Sequence, residues 1–204
     1  NKKQSRLDSD EMKELLTDVI TGDALDDNKK PYARRSNMRD TAIIALLGGT
    51  GIRVSELVGI DLNDIDWEHN CIRIIRKGGN EDIVYFGDEL HRYLEDYINY
   101  EREPGDDKEK ALFVASRKDK GRLTVRSVER IVSKYGTATI PSKHLSPHSL
   151  RRTFGTNYYE ETSDLYAVAD ALGHKNIQVT KDHYADISER KKQQVKEFSD
   201  KLLK

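Results

Sequence analysis

The chain has 204 residues and a formal net charge of -1, which fits one domain or one domain with a small appendage. Hydrophobic residues make up 36% and charged residues 35%, so the composition predicts a soluble globular protein with a real core and argues against a membrane protein. Residues 1–6 are polar and give no support for a signal peptide. The single cysteine, Cys71, excludes an internal disulfide, and one Cys with six scattered His argues against a structural zinc site.

Charge is distributed unevenly along the chain. Residues 1–115 carry 17 basic and 25 acidic side chains, a balance of -8, whereas residues 116–204 carry 18 basic and 11 acidic ones, a balance of +7. A basic half beside an acidic half favours a face that binds a polyanion. A solvated surface with uneven charge would give the same counts, so the charge alone leaves both interpretations open.

Hydrophobic periodicity, caps and turn residues divide the chain into helices and strands. Asp8 is the expected N-cap of the first helix, since Glu11 three residues later completes a capping box. Residues 21–35 lack apolar periodicity and predict an exposed loop, and the buried helix after them is expected to stop at the turn cluster 48–51. The predicted helices cover about 8–20, 37–47, 53–58, 89–100, 125–135, 148–160 and 164–172.

The stretch from Ile60 to Phe86 instead has β-like runs separated by turn residues. Residues 68–70 and 78–80 are hairpin connections, so they predict a meander of three antiparallel strands. The predicted strands are Ile65–Trp67, Cys71–Ile75 and Ile83–Phe86. The fold class is therefore mainly α with a small three-stranded antiparallel sheet (α+β), without a visible second domain boundary, and residues 103–110 predict a flexible loop.

Two segments place a cation beside a turn. Arg53 follows the glycine-rich cluster, and Glu56 three residues later is placed to hold its guanidinium, although such a pair is also common on helix surfaces. Lys77 lies at the tip of the second hairpin, in Arg76-Lys77-Gly78-Gly79-Asn80. A long cation there can reach over a bound strand or simply face solvent.

Two further segments lie in the basic half. His148 and Arg151 are one turn apart at a helix start, so two donors and the positive helix end can hold an anion such as phosphate; an ion pair at the helix start is the alternative. Gly173 ends one helix immediately before His174, and Tyr184 follows with few apolar neighbours. Any one of the ten tyrosines is more often structural, but Tyr184 differs in its polar surroundings.

Taken in order, these segments resemble the catalytic domain of the tyrosine recombinase (phage integrase) family. The resemblance covers the chain from about Leu7 to Ile187. Each motif is weak alone, but the ordered set is specific because six chemically matched positions must coincide. The matched positions are Arg53, Lys77, His148, Arg151, His174 and Tyr184, with Glu56 beside them.

The resemblance implies that the chain cleaves DNA without a metal or another cofactor. Tyr184 would be the nucleophile that forms a 3′-phosphotyrosyl link. Lys77 would be the general acid toward the leaving 5′ hydroxyl, and His148 would accept or relay the tyrosine proton.

The same resemblance implies how the phosphate charge is balanced. Arg53 and Arg151 would clamp the non-bridging oxygens with planar, bidentate donors that Lys cannot reproduce. His174 would donate to the phosphate, and Glu56 would orient Arg53 or His148.

The resemblance also implies partners and a domain organisation. The expected partner is double-stranded DNA with specific recombination sites, bound by a homo-tetramer together with accessory DNA-bending or directionality proteins. The protein is expected in the cytoplasm, associated with the nucleoid and not with a membrane. Residues 1–187 would be the catalytic domain. Most family members carry an N-terminal DNA-clamping domain that is absent here, so we expect a fragment or a minimal recombinase.

The remaining residues, 188–204, predict a helical tail. Val195, Phe198 and Leu202 form a narrow apolar stripe at helical spacing. The stripe either folds back on its own domain or, as the resemblance implies, docks on a neighbouring protomer.

Three functions remain open from the sequence. A site-specific recombinase is preferred over a non-catalytic module because all six matched positions are intact. Mobile-element integration and excision is the preferred role, although the sequence does not distinguish it from the resolution of chromosome dimers. A non-catalytic DNA-binding module and a DNA-relaxing enzyme of the type IB topoisomerase kind are the alternatives.

Overall fold

The computed structural model of the chain describes residues 6–103, 110–115 and 121–203. The chain divides into two compact units, one ending at Phe154 and the other beginning at Gly155. The division falls inside one helix, Pro147–Thr162, so no loop or change of composition marks it in the sequence. Most of the predicted loop at 103–110 lies outside the described residues.

The helices predicted from the sequence are all present, although several ends are displaced. In chain order the helices are α1 (Ser9–Thr21), α2 (Lys30–Ala33), α3 (Asn37–Thr50), α4 (Val54–Gly59), α5 (Asp88–Asp96), α6 (Val125–Thr139), α7 (Pro147–Thr162), α8 (Leu165–Ala171), α9 (Ile177–Gln193) and α10 (Val195–Leu203).

The start of α1 is the predicted capping box. The Asp8 carboxylate accepts the Glu11 backbone N–H at 2.8 Å, and the Glu11 carboxylate accepts the Asp8 N–H at 2.9 Å. The segment that follows needs a correction, because part of the predicted loop forms the short helix α2. Pro31 lies in its first turn, where a residue without an N–H and with a fixed φ is tolerated.

Helix α3 is longer than predicted and is the buried helix of the first unit. It does not stop at Leu47 but continues through Gly48 and Gly49 to Thr50, and it is capped by Gly51, whose φ of 69° is left-handed. Gly48 and Gly49 therefore do not end the helix, because only Gly51 adopts the left-handed backbone angles that terminate it. Residues 41–47 are buried on every side of the helix, as expected for one with no solvent face.

The small sheet confirms the predicted meander. Its strands are β1 (Ile65–Asp66), β2 (Cys71–Ile75) and β3 (Glu81–Tyr85), in the antiparallel order β1-β2-β3. Cys71 pairs with Tyr85 and Ile75 with Glu81, so the two longer strands are in full register. Side chains alternate along β2 and β3, and those of Ile72, Ile74 and Val84 face the core.

The rest of the first unit packs helices around α3. After α5 the predicted helix continues as a π-helical turn, Tyr97–Glu101. Helix α6 is capped by Thr124, whose side chain accepts the Ser127 N–H. Tyr97 stacks on Phe113 with ring centroids 5.6 Å apart. These contacts join the helices to one hydrophobic core.

The second unit contains the end of α7 and helices α8, α9 and α10. Val168, Leu172 and Tyr184 are buried within it. Its last helix, α10, exposes the predicted apolar stripe, with Phe198 64% exposed and Leu202 69% exposed. Within the described part of the chain, no helix combines the length and the apolar character that crossing a membrane requires.

Candidate active site

Arg53 is held by a single carboxylate at the start of α4. Glu56, buried to 4% exposure, accepts the Arg53 backbone N–H at 2.7 Å and the Arg53 Nη1 at 2.9 Å. One side chain therefore fixes both the backbone and the guanidinium of Arg53. The sequence named Arg53 or His148 as the group that Glu56 orients, and in the structure Glu56 contacts Arg53.

Arg151 is anchored at the turn that precedes Arg53. It lies in α7 and is 7% exposed, and its Nη1 donates to the carbonyl oxygen of Gly51 at 2.6 Å. Gly51 is the left-handed residue that ends α3, two positions before Arg53. Arg151 is thus fixed to the same turn as Arg53, although it lies 100 positions after Gly51 in the chain.

Lys77 lies on an exposed turn between β2 and β3. The Arg76 N–H donates to the Asn80 carbonyl at 2.7 Å, and the Gly79 N–H donates to the Arg76 carbonyl at 3.0 Å. Gly78 and Gly79 have φ of 94° and 82°, which side chains with a Cβ rarely adopt. Two glycines therefore allow the tight turn that carries Lys77.

His148 lies in the first turn of α7 and is exposed. Ser146 and Ser149 cap this helix reciprocally, each hydroxyl accepting the other residue's backbone N–H at 3.2 Å. The cap sets where the helix begins, and Arg151 follows His148 one turn later. The predicted spacing of the two residues on one helix is confirmed.

His174 directly follows the turn that ends α8. Gly173, with φ of 61°, allows a Schellman turn in which the His174 N–H donates to the Ala169 carbonyl at 2.8 Å. The imidazole Nδ1 lies 2.8 Å from the hydroxyl of Thr180, which is fully buried. Backbone and ring of His174 are therefore both fixed.

Tyr184 lies at a kink in α9, with φ of -110° and ψ of 15°. The residue is 4% exposed, and its ring lies 5.7 Å from that of Tyr159 at an angle of 46°. Its hydroxyl packs over the backbone of Gly155, so closely that a Cβ at position 155 would overlap it. The polar sequence around Tyr184 had suggested few apolar neighbours, but the structure places the ring in a packed interior.

The candidate residues divide between the two units. The first unit holds Arg53, Glu56, Lys77, His148 and Arg151, and the second holds His174 and Tyr184. Within the first unit, Arg53 and Arg151 are brought to one turn through Glu56 and Gly51. Among the described residues, no cluster of three or more His, Cys, Asp and Glu side chains is placed to hold a metal ion.

Three residues that support the site were not assigned from the sequence. Arg76 contacts Glu56, Thr180 holds His174, and Gly155 leaves room for Tyr184. Gly155 could have been suspected from the sequence, because a glycine inside a helix destabilises it by roughly 0.5–1 kcal/mol relative to alanine and so suggests close packing at that position. Nothing in the sequence pointed to Thr180, since a threonine six residues after a histidine is not a recognisable motif.

Comparison with known proteins places the chain in a family. The phage integrase family matches residues 5–191. The chain belongs to this family. A tyrosine recombinase XerC of Corynebacterium glutamicum is 37% identical over 189 residues, which cover 87% of this chain and 60% of the relative.

Solved structures agree with the predicted fold class. The crystal structure of XerA recombinase matches with a TM-score of 0.72 and 27% identity, covering 87% of this chain and 59% of that one. The Tn1549 transposon integrase, solved in complex with circular intermediate DNA, matches with a TM-score of 0.63 and 25% identity, covering 88% of this chain and 60% of that one. The chain thus spans about three fifths of the length of these relatives.

Proposed function

We propose that this chain is the catalytic part of a site-specific recombinase that cleaves and rejoins double-stranded DNA through a 3′-phosphotyrosine intermediate. The observation that carries the proposal is the anchoring of two arginines at one turn, Arg53 through Glu56 and Arg151 through the carbonyl of Gly51. Two fixed guanidinium groups can neutralise the charge that a phosphate gains under attack. Membership of the family and the recombinase names of its relatives support the same reaction.

In the proposed cleavage step, the Tyr184 oxygen attacks phosphorus and the bond from phosphorus to the 5′ oxygen breaks. A phenol has a reference pKa of about 10, so its proton must be removed at neutral pH, and His148 accepts it. Lys77 gives a proton to the departing 5′ oxygen. The 3′ phosphate stays on Tyr184, and the energy of the broken bond is kept in the new ester.

The remaining residues bind the phosphate or hold other groups in place. Arg53 and Arg151 donate hydrogen bonds to the non-bridging oxygens, and Glu56 holds the Arg53 guanidinium in place. His174, oriented by Thr180, donates to the same phosphate. No step requires a metal or another cofactor, because the two arginines and His174 supply the positive charge.

A covalent adduct tests this proposal. A pool of nicked duplexes with randomised bases around the nick is incubated with the protein, because loss of the short product strand traps the phosphotyrosine. The expected result is a protein–DNA band on a denaturing gel that disappears in Tyr184→Phe. Sequencing the trapped strands identifies the site. Absence of an adduct in the wild type, with DNA binding intact, would support the non-catalytic alternative.

Rejoining by a second 5′ hydroxyl would exchange strands, and this step distinguishes recombination from relaxation. A 5′ hydroxyl from another duplex attacks the phosphotyrosine and releases Tyr184. The proposed assembly is a homo-tetramer on two DNA sites, with accessory DNA-bending or directionality proteins. Exchange between two selected sites is the expected result, whereas relaxation of supercoiled DNA without exchange would support the topoisomerase alternative.

The domain organisation belongs to the same proposal. Residues 1–187 act as the catalytic domain, and an N-terminal DNA-clamping domain completes the recombinase. The tail at 188–204 docks on a neighbouring protomer, since α10 exposes its apolar stripe. If truncation after Arg190 left both cleavage and assembly on DNA unchanged, the role of the tail would be wrong.

Integration and excision of a mobile element is the proposed biological role. The likeness to a transposon integrase in complex with circular intermediate DNA supports it. The test is recovery of a circular intermediate from cells that carry the coding region with its flanking DNA. Recombination confined to a chromosomal site, without excision, would instead support the resolution of chromosome dimers.

A further inference from the structure

Arg76 precedes Lys77 and is buried at 8% exposure, unusual for a cation beside an exposed turn. Its Nε donates to the Asp82 carboxylate at 2.8 Å, and its Nη1 donates to the Glu56 carboxylate at 3.2 Å. Glu56 is the group that holds Arg53. The side chain of Arg76 therefore connects strand β3 with the start of α4.

The backbone of Arg76 closes the turn that carries Lys77. Its N–H and its carbonyl bond Asn80 and Gly79 on the other side of the turn. A residue held at its backbone by the turn, and at its side chain by Glu56 and Asp82, transmits any displacement of its guanidinium to Lys77. Two consecutive glycines with positive φ make this turn deformable without such an anchor.

We propose that Arg76 is a positioning residue that locks the Lys77 turn against Glu56 and so presents Lys77 and Arg53 as one rigid group. The proposal rests on the proposed function, in which Lys77 is the general acid. Arg76 itself touches no reacting atom in this scheme. Its effect is to keep the Lys77 ammonium within reach of the leaving 5′ oxygen.

A chemical change in the substrate separates positioning of Lys77 from general damage. The selected duplex, which carries the site identified by sequencing the trapped strands, is prepared with either oxygen or sulfur as the 5′ bridging atom at the scissile phosphate. A thiol has a reference pKa of about 8.5, so a thiolate leaves without a proton and makes the general acid dispensable. The Tyr184 attack and the arginine clamp are needed equally with both substrates.

The test compares Arg76→Met with Lys77→Met and Arg73→Met in single-turnover adduct formation. Arg73 is a matched control, because it lies in β2, three residues before Arg76, and also pairs with two carboxylates, but these are Asp64 and Glu81 rather than Glu56. With the oxygen substrate, Arg76→Met is expected to be slower by about 100-fold, as for a catalytic group displaced by about 1 Å. With the sulfur substrate, it should approach the wild-type rate, whereas Arg73→Met should match the wild type on both.

The outcomes separate this proposal from the proposed function. Rescue of Lys77→Met but not of Arg76→Met by sulfur overturns the positioning role alone. Failure of sulfur to rescue Lys77→Met removes the general acid role and, with it, this proposal. Equal rates of Arg76→Met and the wild type on the oxygen substrate also overturn it.

A milder variant covers the case in which Arg76→Met does not fold. Asp82→Asn weakens one anchor on a carboxylate that is 42% exposed, and it should show a smaller loss with the same rescue by sulfur. Hydrogen exchange on the DNA-free protein gives a readout that does not depend on cleavage. The Gly79 and Arg53 amides should exchange faster in Asp82→Asn than in the wild type, and unchanged rates at both would overturn the lock.

Discussion

The hydroxyl of Tyr184 rests on the backbone of Gly155, in a space that exists only because residue 155 has no Cβ. A Cβ there would overlap the hydroxyl and would lie 3.1 Å from both Tyr184 Cζ and Leu172 Cδ1. Gly155 lies within α7, so the helix carries its least favourable residue short of proline at the point of contact. The proposed nucleophile is thus stored against α7, at 4% exposure.

Gly155→Ala is expected to expel the Tyr184 side chain from this position and to speed adduct formation severalfold. A buried hydroxyl cannot bond phosphorus until it leaves, and the new methyl group disfavours the stored position. Rates with the selected nicked duplex check this, and loss of the Tyr159 ring contact should appear in the tyrosine NMR signals. Gly49→Ala is the control, because nothing lies within 4 Å of a Cβ there. A slower reaction in Gly155→Ala alone would show that the stored position is the reactive one.

Arg151→Lys is expected to lower the rate of adduct formation by about 10²–10³-fold, the usual cost of removing one fixed donor to a charged transition state. A lysine retains the charge but cannot bond the Gly51 carbonyl and a phosphate with one planar fork. The measurement is single-turnover cleavage at saturating protein. Arg152→Lys, the same change at the next position, should have little effect. Similar losses in both variants would mean that the phosphate does not depend on the anchored arginine.

The sequence predicted the helices and the meander because their signals are local. The Asp8 capping box, the hairpin turns and the alternation in β2 each depend on residues a few positions apart. The course of α3 was mispredicted because nothing local distinguishes Gly48 and Gly49, which stay helical, from Gly51, which does not.

For the candidate site too, the sequence predicted what depends on nearby residues and missed what depends on contacts between distant ones. Types and spacings of residues suggested which side chains carry the chemistry, and Glu56 was placed beside Arg53 because the two are one helical turn apart. The contact of Arg151 with Gly51 joins positions 100 residues apart and leaves no trace in either segment. The burial of Tyr184 depends in the same way on packing against Tyr159 and Gly155.

Asp40→Ala is expected to lower the free energy of unfolding by about 3–5 kcal/mol, as when one partner of a buried ion pair is lost. Asp40 is fully buried and accepts from the Arg39 Nη2 at 2.9 Å, from Lys134 at 3.2 Å and from the Tyr135 hydroxyl at 3.3 Å. Urea denaturation measures the loss. Asp26→Ala, which breaks an exposed pair with Lys29, should leave the midpoint in place. A small effect of Asp40→Ala would mean that the cations it holds reach solvent in the variant.

Tyr135→Phe is expected to change how stability depends on alkaline pH. Burial, with the nearby Asp40 charge, raises the pKa of Tyr135 above its ordinary value of about 10. Because the folded-state pKa is raised, this group's stabilising contribution is complete below about pH 10 and declines as the pH rises further. Urea midpoints should therefore fall less steeply above that pH in Tyr135→Phe than in the wild type. Parallel pH profiles would contradict the raised pKa.

Phe198→Glu is expected to leave the fold intact but to weaken assembly on DNA. Val195, Phe198 and Leu202 of α10 are each more than 60% exposed, so a charge at position 198 should change the free energy of unfolding by no more than about 0.5 kcal/mol. If the stripe docks on a neighbouring protomer, the same charge must be buried there without a partner, and slow-migrating complexes with the selected duplex should be lost.

Lys201→Gln is the control for that experiment, since it changes the charge of the same helix by one unit in the same direction and leaves the apolar stripe unchanged. Native gels with the selected duplex, and thermal unfolding of the free protein, measure the two effects separately. Loss of thermal stability in Phe198→Glu would show that α10 folds back on its own chain. Equal weakening of assembly by both substitutions would mean that the charge of the tail, rather than its apolar stripe, controls assembly.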